Sequence, residues 1–209
     1  MFITIEGIEG GGKTTQVALL AAALERARIP VRVTREPGGT ELGGEIRSLL
    51  LHSGTRLGRF AELFLILADR SEHVETVLRP ALGAGETVLC DRFSDSTIAY
   101  QAYGRELPVD AVRAVDAVAR QGLLPDLTFV LDCPVATGLA RTRQRRGGVA
   151  ADRFENEHPN FHERVRRGFL TLARESAERV RVIDATQPVD AVHAEILATA
   201  ARRLGIGGP

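Results

Sequence analysis

The sequence FITIEGIEGGGKT, residues 2–14, decides the fold of this chain. Residues 2–6 form a mostly apolar run, which predicts a buried strand. Residues 7–14 match the phosphate-binding pattern G-x-x-x-x-G-K-[ST], and apolar side chains at helical spacing predict a helix over 13–28. A strand, a glycine loop and a helix in this order create a site where backbone N–H groups bind phosphate oxygens.

Lysine occurs once in the chain, and Lys13 stands inside this loop. All other residues of the Lys+Arg total of 27 are arginine. A compact ammonium fits between phosphate oxygens in a tight loop, whereas a planar guanidinium is bulkier and prefers a side-on fork. A glycine-rich turn can also be a plain strand–helix connection, but the position of the lysine favours a phosphate site. The residues expected to bind phosphate are Gly7, Ile8, Glu9, Gly10, Gly11, Gly12, Lys13 and Thr14.

The rest of the chain alternates predicted strands with predicted helices. Further strands are expected over 31–33, 87–90, 127–131 and 180–183, and helices over 13–28, 41–51, 61–82, 94–103, 109–121, 135–145, 161–177 and 189–204. This order predicts a five-stranded, parallel, doubly wound sheet in a three-layer α/β/α domain. We expect a single domain over 1–209, with a mobile, arginine-rich lid at about 141–160, where glycines and a proline interrupt the helical pattern.

Composition limits the partners of the protein. The 27 basic and 27 acidic residues give a formal net charge of zero, so no overall field favours nucleic acid or an anionic membrane. No apolar stretch approaches the roughly 20 residues of a spanning helix. From the strand-like run near the beginning of the sequence we expect no signal peptide, and Cys90 and Cys133 lack C-x-x-C spacing. We therefore expect a cytoplasmic protein without a disulfide framework, whose ligands are small molecules.

The apolar run over 88–90 ends in Asp91-Arg92. Thr14 is the expected ligand of Mg²⁺, and Asp91 can hold the same ion or orient an attacking oxygen. Arg92 suits a second phosphorylated ligand. A GTPase would need an N-K-x-D guanine motif, which is impossible without a second lysine. The pattern therefore indicates phosphoryl transfer between two phosphate-bearing molecules.

In its longer motifs the chain resembles the bacterial thymidylate kinases, over about residues 2–188. The resemblance is carried by TREPGGT at 34–40, RSLLL at 47–51, ADR at 68–70, DRF at 91–93, DSTIAYQ at 95–101, DRFE at 152–155 and IDATQP at 183–188. It implies a P-loop NTPase fold and the reaction ATP + dTMP → ADP + dTDP with Mg²⁺, in a cytosolic homodimer. The loop over 7–14 would then bind ATP.

The resemblance also implies roles for matching residues. Arg70 and Arg92 would hold the phosphate of dTMP, and Asp91 would lie at the metal and the acceptor phosphate. Glu9 would approach the 3′-hydroxyl of the sugar. Tyr100 would crowd the 2′ position and so favour deoxyribose.

The implied base pocket contains one departure from the family. Thr97 and Gln101 would face the base edge, and Pro37 would line the pocket. Ile66 stands where the family usually has a phenylalanine that stacks on thymine. Isoleucine offers dispersion contact without ring stacking. Alternatively, Phe64 or another residue fills this gap, or the alignment is shifted by a few positions.

The lid supplies the cation that the loop lacks. Some thymidylate kinases carry an arginine in the P-loop, whereas this chain has Glu9-Gly10-Gly11 there and resembles the kind with a basic lid. The arginines on or beside the lid are Arg141, Arg143, Arg145, Arg146 and Arg153. We expect Arg143 and Arg153 to reach the transferred phosphoryl group when the lid closes. A solvated helix face is the alternative for any one of these arginines.

Several alternatives stay open at this point. A deoxynucleoside kinase that acts on thymidine would share the P-loop and the Asp-Arg pair, and a non-catalytic nucleotide-binding module would share the P-loop. Arg35 and Glu36 could contact substrate or pair with neighbours. His158 and His162 have the i, i+4 spacing of metal ligands on a helix, but no third ligand supports a metal, and a surface position is favoured for both.

Overall fold

The computed structural model describes residues 1–52, 57–147 and 151–206 of the chain. These residues form a five-stranded sheet in which every pair of neighbouring strands is parallel, in the order β2-β3-β1-β4-β5. The strands are β1 (Phe2–Glu6), β2 (Val31–Arg35), β3 (Thr87–Asp91), β4 (Leu127–Asp132) and β5 (Val180–Asp184). The predicted fold class is therefore confirmed.

Burial explains why the middle strands are so apolar. β1 lies between β3 and β4, and all five of its residues are buried. A parallel strand that is covered on both faces needs a nearly continuous hydrophobic run. The edge strand β2 instead carries exposed and half-buried residues. In the register of β1 and β3, Ile5 is the partner of Asp91, so the loop after β1 and the Asp-Arg pair after β3 begin side by side.

Helices cover the sheet in two groups. They are α1 (Lys13–Arg26), α2 (Glu41–His52), α3 (Arg59–His73), α4 (Arg79–Gly83), α5 (Ser94–Thr97), α6 (Val109–Ala119), α7 (Val135–Arg146), α8 (Pro159–Glu175) and α9 (Val189–Leu204). α1 packs against α9, β2 and β3, whereas α8 packs against β4, β5 and the segment Ile98–Gly104. Within the described residues, no helix is both long and apolar enough to cross a bilayer. Cys90 and Cys133 are buried free thiols.

Two predicted helices contain π-helical segments. The predicted helix over 61–82 consists of α3, a π-helical segment Val74–Leu78 and α4, and the helix over 94–103 consists of α5 and a π-helical segment Ile98–Gly104. Such segments are frequent at functional sites, and apolar spacing does not reveal them. The second segment carries two predicted substrate contacts, Tyr100 and Gln101.

The P-loop touches α7 through two glycines. A Cβ on Gly10 would lie 2.0 Å from the carbonyl oxygen of Gly138, and a Cβ on Gly138 would lie 2.4 Å from that of Glu9. Only glycine allows so close a backbone approach. The contact places α7, which carries Arg141, Arg143 and Arg145 of the predicted lid, directly on the phosphate loop.

Candidate active site

A cavity of about 550 Å³ lies above the carboxyl ends of β1, β2 and β3. Ligands of open α/β sheets bind at this edge. Its wall contains twelve of the residues predicted from the sequence, namely Glu9, Gly10, Lys13, Thr14, Pro37, Ile66, Arg70, Asp91, Arg92, Thr97, Tyr100 and Gln101. Among the predicted P-loop residues, Gly7, Ile8, Gly11 and Gly12 complete the loop beside the cavity.

Lys13 is buried against its own loop. Its Nζ donates hydrogen bonds to the carbonyl oxygens of Gly7, at 3.2 Å, and Ile8, at 2.9 Å. Burial and the nearby charge of Arg92 lower the pKa of Lys13 to about 8. Because an ammonium has three N–H groups, one remains for a phosphate oxygen.

Thr14 and Asp91 meet at the start of α1. The Thr14 hydroxyl donates to Asp91 Oδ2 at 2.9 Å. A hydroxyl and a carboxylate are oxygen ligands of the kind that Mg²⁺ prefers. The described residues contain no cluster of three or more His, Cys, Asp or Glu side chains that could hold a metal. A sparse protein ligand set fits Mg²⁺, which is usually bound by one or two protein oxygens together with substrate phosphates and water.

Arg92 joins the end of β3 to the P-loop. It adopts a left-handed backbone conformation, with φ of 73°. Its Nη1 donates to the Gly7 carbonyl, at 2.9 Å, and to Ser96 Oγ, at 3.0 Å. Its Nη2 lies 3.0 Å from both Glu9 Oε1 and the Tyr100 hydroxyl. The guanidinium is thereby fixed, and its Nε–H remains for a ligand.

Glu9 is held in its ionised form. Its Oε1 accepts a hydrogen bond of 2.5 Å from the Tyr100 hydroxyl, besides the contact with Arg92. Burial raises the pKa of Glu9, but contact with His162 and the charges of Arg92 and Lys13 outweigh burial and hold that pKa well below its usual range. This carboxylate can therefore accept a hydrogen bond from a ligand hydroxyl.

The predicted surface position of His162 is wrong. Its side chain is fully buried, and its Nδ1 lies 3.3 Å from Glu9 Oε2 in a close contact without hydrogen-bond alignment. The reason is tertiary: α8 packs against the segment Ile98–Gly104, which brings this face of the helix to the P-loop. His158, by contrast, is exposed as predicted.

Arg70 is buried among compensating charges. Its Nε and Nη2 contact Glu36 Oε2 at 2.8 and 2.7 Å, and its Nη1 donates to Asp116 and, at 2.8 Å, to Thr97 Oγ1. Glu36 also contacts His73 Nδ1 at 2.8 Å, so Glu36 pairs with its neighbours. Three of the five guanidinium N–H groups of Arg70 donate hydrogen bonds, its Nη2 lies against Glu36 as well, and two carboxylates pair with its single charge.

The sequence predicted no phosphate-binding role for two arginines that lie beside the cavity. Arg35 and Arg47 line the cavity, and within the described parts of the chain neither forms an ion pair. Arg47 Nη1 donates to the Pro37 carbonyl at 2.9 Å. Arg35, Arg47 and Arg92 line the same cavity, and burial together with the charges of Arg35 and Arg92 lowers the pKa of Arg47. Arg35 lies in the TREPGGT motif and Arg47 in the RSLLL motif, so these two motifs could have indicated both residues.

The side of the cavity that the sequence assigned to the base combines an apolar wall with a buried acceptor that has no partner among the described residues. Ile66 lines the cavity, whereas Phe64 is 56% exposed and packs near Phe60, so Phe64 does not fill the place of a stacking ring. Gln101 Nε2 donates to Glu62 Oε1 at 2.9 Å. Gln101 Oε1 is buried and has no hydrogen-bond partner among the described residues.

The lid arginines point in different directions. Arg145 lines the cavity, and Arg141 donates to the Ala185 carbonyl at 2.8 Å. Arg143 is exposed and does not line the cavity. Arg153 contacts the Leu50 carbonyl at 3.0 Å and Glu62 Oε2 at 2.5 Å. The side chain of Arg146 and residues 148–150 of the predicted lid lie outside the described part of the chain.

Comparisons with known proteins agree with this geometry. A family model described as "Thymidylate kinase" matches residues 5–196. A protein named thymidylate kinase from Desulfovibrio desulfuricans is 53% identical over 92% of this chain and 91% of its own length. A second protein named thymidylate kinase, from Desulfosudis oleivorans, is 48% identical, and the alignment spans all of this chain and all of that protein. The crystal structure of thymidylate kinase from Ehrlichia chaffeensis is similar with a TM-score of 0.77 and 34% identity, over 96% of this chain and 98% of that one.

Proposed function

Because the chain belongs to the thymidylate kinase family, we propose that it transfers the γ-phosphoryl group of ATP to dTMP, giving ADP and dTDP. One observation carries the proposal: a single cavity is lined by the phosphate loop and by a second set of cations, Arg35, Arg47 and Arg92. Two phosphorylated substrates need two such cationic regions, because their mutual repulsion must be screened where they meet.

The donor side of the proposed site is the P-loop. Backbone N–H groups of the loop bind the phosphates of ATP, and the remaining N–H of Lys13 binds an oxygen of the transferred group. Thr14 and Asp91, which are hydrogen-bonded at 2.9 Å, would hold Mg²⁺. Mg²⁺ held there would supply positive charge that offsets the negative charge of the phosphates.

The acceptor phosphate is assigned to three arginines that, among the described residues, pair with at most one carboxylate each. Arg92 offers its Nε–H, and Arg47 and Arg35 have no carboxylate partner among the described residues. Arg70 remains in the proposed substrate site, but we assign it to the base of dTMP and not, as the sequence suggested, to the phosphate. Since Glu36 and Asp116 already pair with its charge, the remaining N–H capacity at Nη2 suits a neutral carbonyl of the base better than a phosphate dianion.

The nucleoside part of dTMP occupies the rest of the cavity. Glu9 accepts from the 3′-hydroxyl, and Tyr100, fixed by its bond to Glu9, occupies the space that a 2′-hydroxyl would need. Gln101 and Thr97 face the edge of the base. The apolar parts of the wall come from Ile66 and Pro37.

Positioning and charge stabilisation account for the chemistry. The attacking oxygen of the acceptor phosphate is already ionised, so no strong general base is required. Additional positive charge comes from arginines of the predicted lid. Arg143 and Arg153 are the arginines proposed to approach the transferred group on closure, and Arg145, which already lines the cavity, is a third.

Three further parts of the proposal concern the whole molecule: a single domain, a homodimer and a cytoplasmic location. The homodimer is supported by apolar side chains on the adjacent helices α2 and α3, where Leu42, Leu49, Phe60 and Phe64 are 40–56% exposed. Exposed apolar residues on neighbouring elements are typical of protein interfaces. Sedimentation at several concentrations tests the dimer.

A substrate panel tests the proposed reaction. ADP release is measured with dTMP, dUMP, dCMP, dGMP, AMP, UMP and thymidine as acceptors. dTMP is expected to give the highest kcat/KM. Thymidine as the clearly better acceptor would instead indicate a deoxynucleoside kinase, and ATP binding without turnover of any acceptor would indicate a non-catalytic nucleotide-binding module.

A further inference from the structure

Glu62 is a buried carboxylate for which the proposed reaction has no direct use. It lies on α3 and is 1% exposed. Its Oε1 accepts from Gln101 Nε2 at 2.9 Å and from Arg105 Nε at 3.0 Å. Its Oε2 accepts from Arg153 Nη2 at 2.5 Å. The base side of the cavity and the lid are thus connected to one acidic group.

The two arginines hold Glu62 as an acceptor. Arg105 and Arg153 compensate its buried charge, and Arg105 also forms an ion pair with Glu157. The rings of Phe154 and Phe161 lie against Arg105, at 5.5 and 4.7 Å from its guanidinium carbon. A carboxylate in this environment presents lone pairs only, and it offers no N–H or O–H to Gln101.

An acceptor-only partner decides which way the Gln101 amide points. The amide has a donor end, Nε2, and an acceptor end, Oε1, which differ little in shape and are told apart by their partners. Because the Glu62 carboxylate can only accept hydrogen bonds, it must face the Nε2 end of the amide. The Oε1 end therefore points away from Glu62. That acceptor, Gln101 Oε1, is buried and unpaired, and Gln101 lines the cavity.

We propose that Glu62 is a positioning residue that selects the base through Gln101. By binding the N–H₂ group of Gln101, it makes Oε1 face the substrate, so the site recognises a pyrimidine ring that offers an N–H at this edge. Thymine and uracil carry a ring N3–H donor, whereas N3 of cytosine is an acceptor. This inference rests on the proposed function, and it assigns discrimination against cytosine to a residue that does not touch the substrate.

The test compares three acceptors in Glu62→Gln. A glutamine at 62 can donate as well as accept, so Gln101 is no longer forced into one orientation. The ratio of kcat/KM for dTMP to that for dCMP is expected to fall by about tenfold or more, the effect of misplacing one hydrogen bond to the base. The dTMP to dUMP ratio should stay unchanged, because both bases carry N3–H. Ratios between acceptors cancel effects on the lid, which every acceptor shares.

Glu157→Gln is the matched control. It removes the other ion-pair partner of Arg105, and among the described residues Glu157 forms no hydrogen bond with Gln101. Its dTMP to dCMP ratio should equal that of the wild type. A folded Glu62→Gln enzyme with the wild-type ratio would overturn the inference and leave the proposed dTMP kinase activity intact. A wild type that does not phosphorylate dTMP would reject the proposed function instead.

The wild-type protein provides a second test that does not depend on the folding of a variant. The side-chain amide protons of Gln101 are observed by NMR and identified by their loss in Gln101→Leu. With Nε2 on Glu62, these protons should be protected from exchange before dTMP is added, and dTMP should shift them only weakly. Amide protons that become hydrogen-bonded only when dTMP binds would overturn the inference.

Discussion

Glu9 Oε1 and Arg92 Nη2 form an ion pair at 3.0 Å across the mouth of the P-loop. Arg92 also donates to the carbonyl of Gly7, at the first glycine of the same loop. The cation proposed for the acceptor phosphate is therefore fixed to the loop proposed for the donor phosphates. This arrangement would hold the proposed acceptor cation at a fixed distance from the donor loop.

Arg92→Ala should impair the use of dTMP far more than the binding of ATP. The substitution removes a cation from the acceptor side and frees Glu9, whereas Lys13 and the loop N–H groups remain. We expect kcat/KM for dTMP to fall by about two orders of magnitude or more, as for loss of one preorganised charge partner. Steady-state kinetics and titration with a non-hydrolysable ATP analogue measure the two effects. Equal damage to both would place Arg92 outside the acceptor site.

The pH dependence of kcat/KM for ATP should show the titration of Lys13. Burial and Arg92 lower its pKa to about 8, and only the protonated form binds phosphate as a cation. In the free enzyme the charged form is present below this pH and is lost above it, so kcat/KM for ATP should decline as pH rises through about 8. Lys13→Ala should lower kcat by roughly two to three orders of magnitude and abolish this decline. A flat wild-type profile up to pH 10 would contradict the assignment.

Glu6→Gln should stabilise the protein at alkaline pH. Glu6 is fully buried, its Oε1 accepts from the Phe93 N–H at 2.8 Å, and Ser96 Oγ lies 2.5 Å from its Oε2. Burial and the charge of Asp95 raise its pKa from 4.5 to about 8. The folded state therefore binds more protons than the unfolded state between these values, and the contribution of Glu6 to stability falls as pH rises from 4.5 to 8.

A glutamine keeps the shape of Glu6 without this titration. Thermal unfolding should show Tm for Glu6→Gln roughly 2–4 °C above that of the wild type at pH 8, with a smaller difference at pH 5. A difference in Tm that does not change between pH 5 and pH 8 would show that the carboxyl is ionised at both.

Ile66→Phe should tighten the binding of dTMP. Ile66 lines the cavity, and Phe64 is directed to the surface, so the described wall offers no ring from either position. A stacked ring contributes about 0.5–1.5 kcal/mol beyond its buried area, which corresponds to a KM for dTMP that is lower by roughly two- to tenfold. KM for ATP serves as the control and should not change. An unchanged or higher KM for dTMP would show that the cavity has no room for the ring.

Gly138→Ala should damage the P-loop from outside. The new Cβ would lie 2.4 Å from the Glu9 carbonyl oxygen, so either α7 or the loop must move. We expect kcat/KM for ATP to fall by about tenfold, since small misplacements of the reacting groups are costly. Gly83→Ala is the matched control, because its Cβ would meet nothing within 4 Å. The same activity in both variants would mean that the loop tolerates displacement.

The sequence predicted the fold and the phosphate loop because both depend on local patterns. Each strand, each helix and the glycine loop that contains Lys13 is encoded by a short stretch of neighbouring residues. The DRF and DSTIAYQ motifs likewise located Arg92 and Tyr100 in the cavity wall. The π-helical segments were not foreseen, since a wider helical turn leaves no distinct spacing of apolar residues.

The charge balance of the cavity could not be predicted in the same way. Arg70 meets Glu36, which lies 34 positions earlier, and Asp116, which lies 46 positions later. Glu62 meets Arg153 across 91 positions. Such pairs form only when α3, α6 and the lid segment pack together, so the motif of each residue gives no sign of its partner. The same holds for His162, whose helix face is buried by a distant segment.

The most direct measurement is the ratio of kcat/KM for dTMP to that for thymidine, obtained from ADP release with the purified wild-type enzyme. A site that binds the acceptor phosphate through Arg92, Arg47 and Arg35 needs that phosphate for both affinity and alignment. We predict a ratio of at least about 10³, consistent with the loss of contacts from charged groups. A ratio at or below one would contradict the central claim that the acceptor is a nucleoside monophosphate.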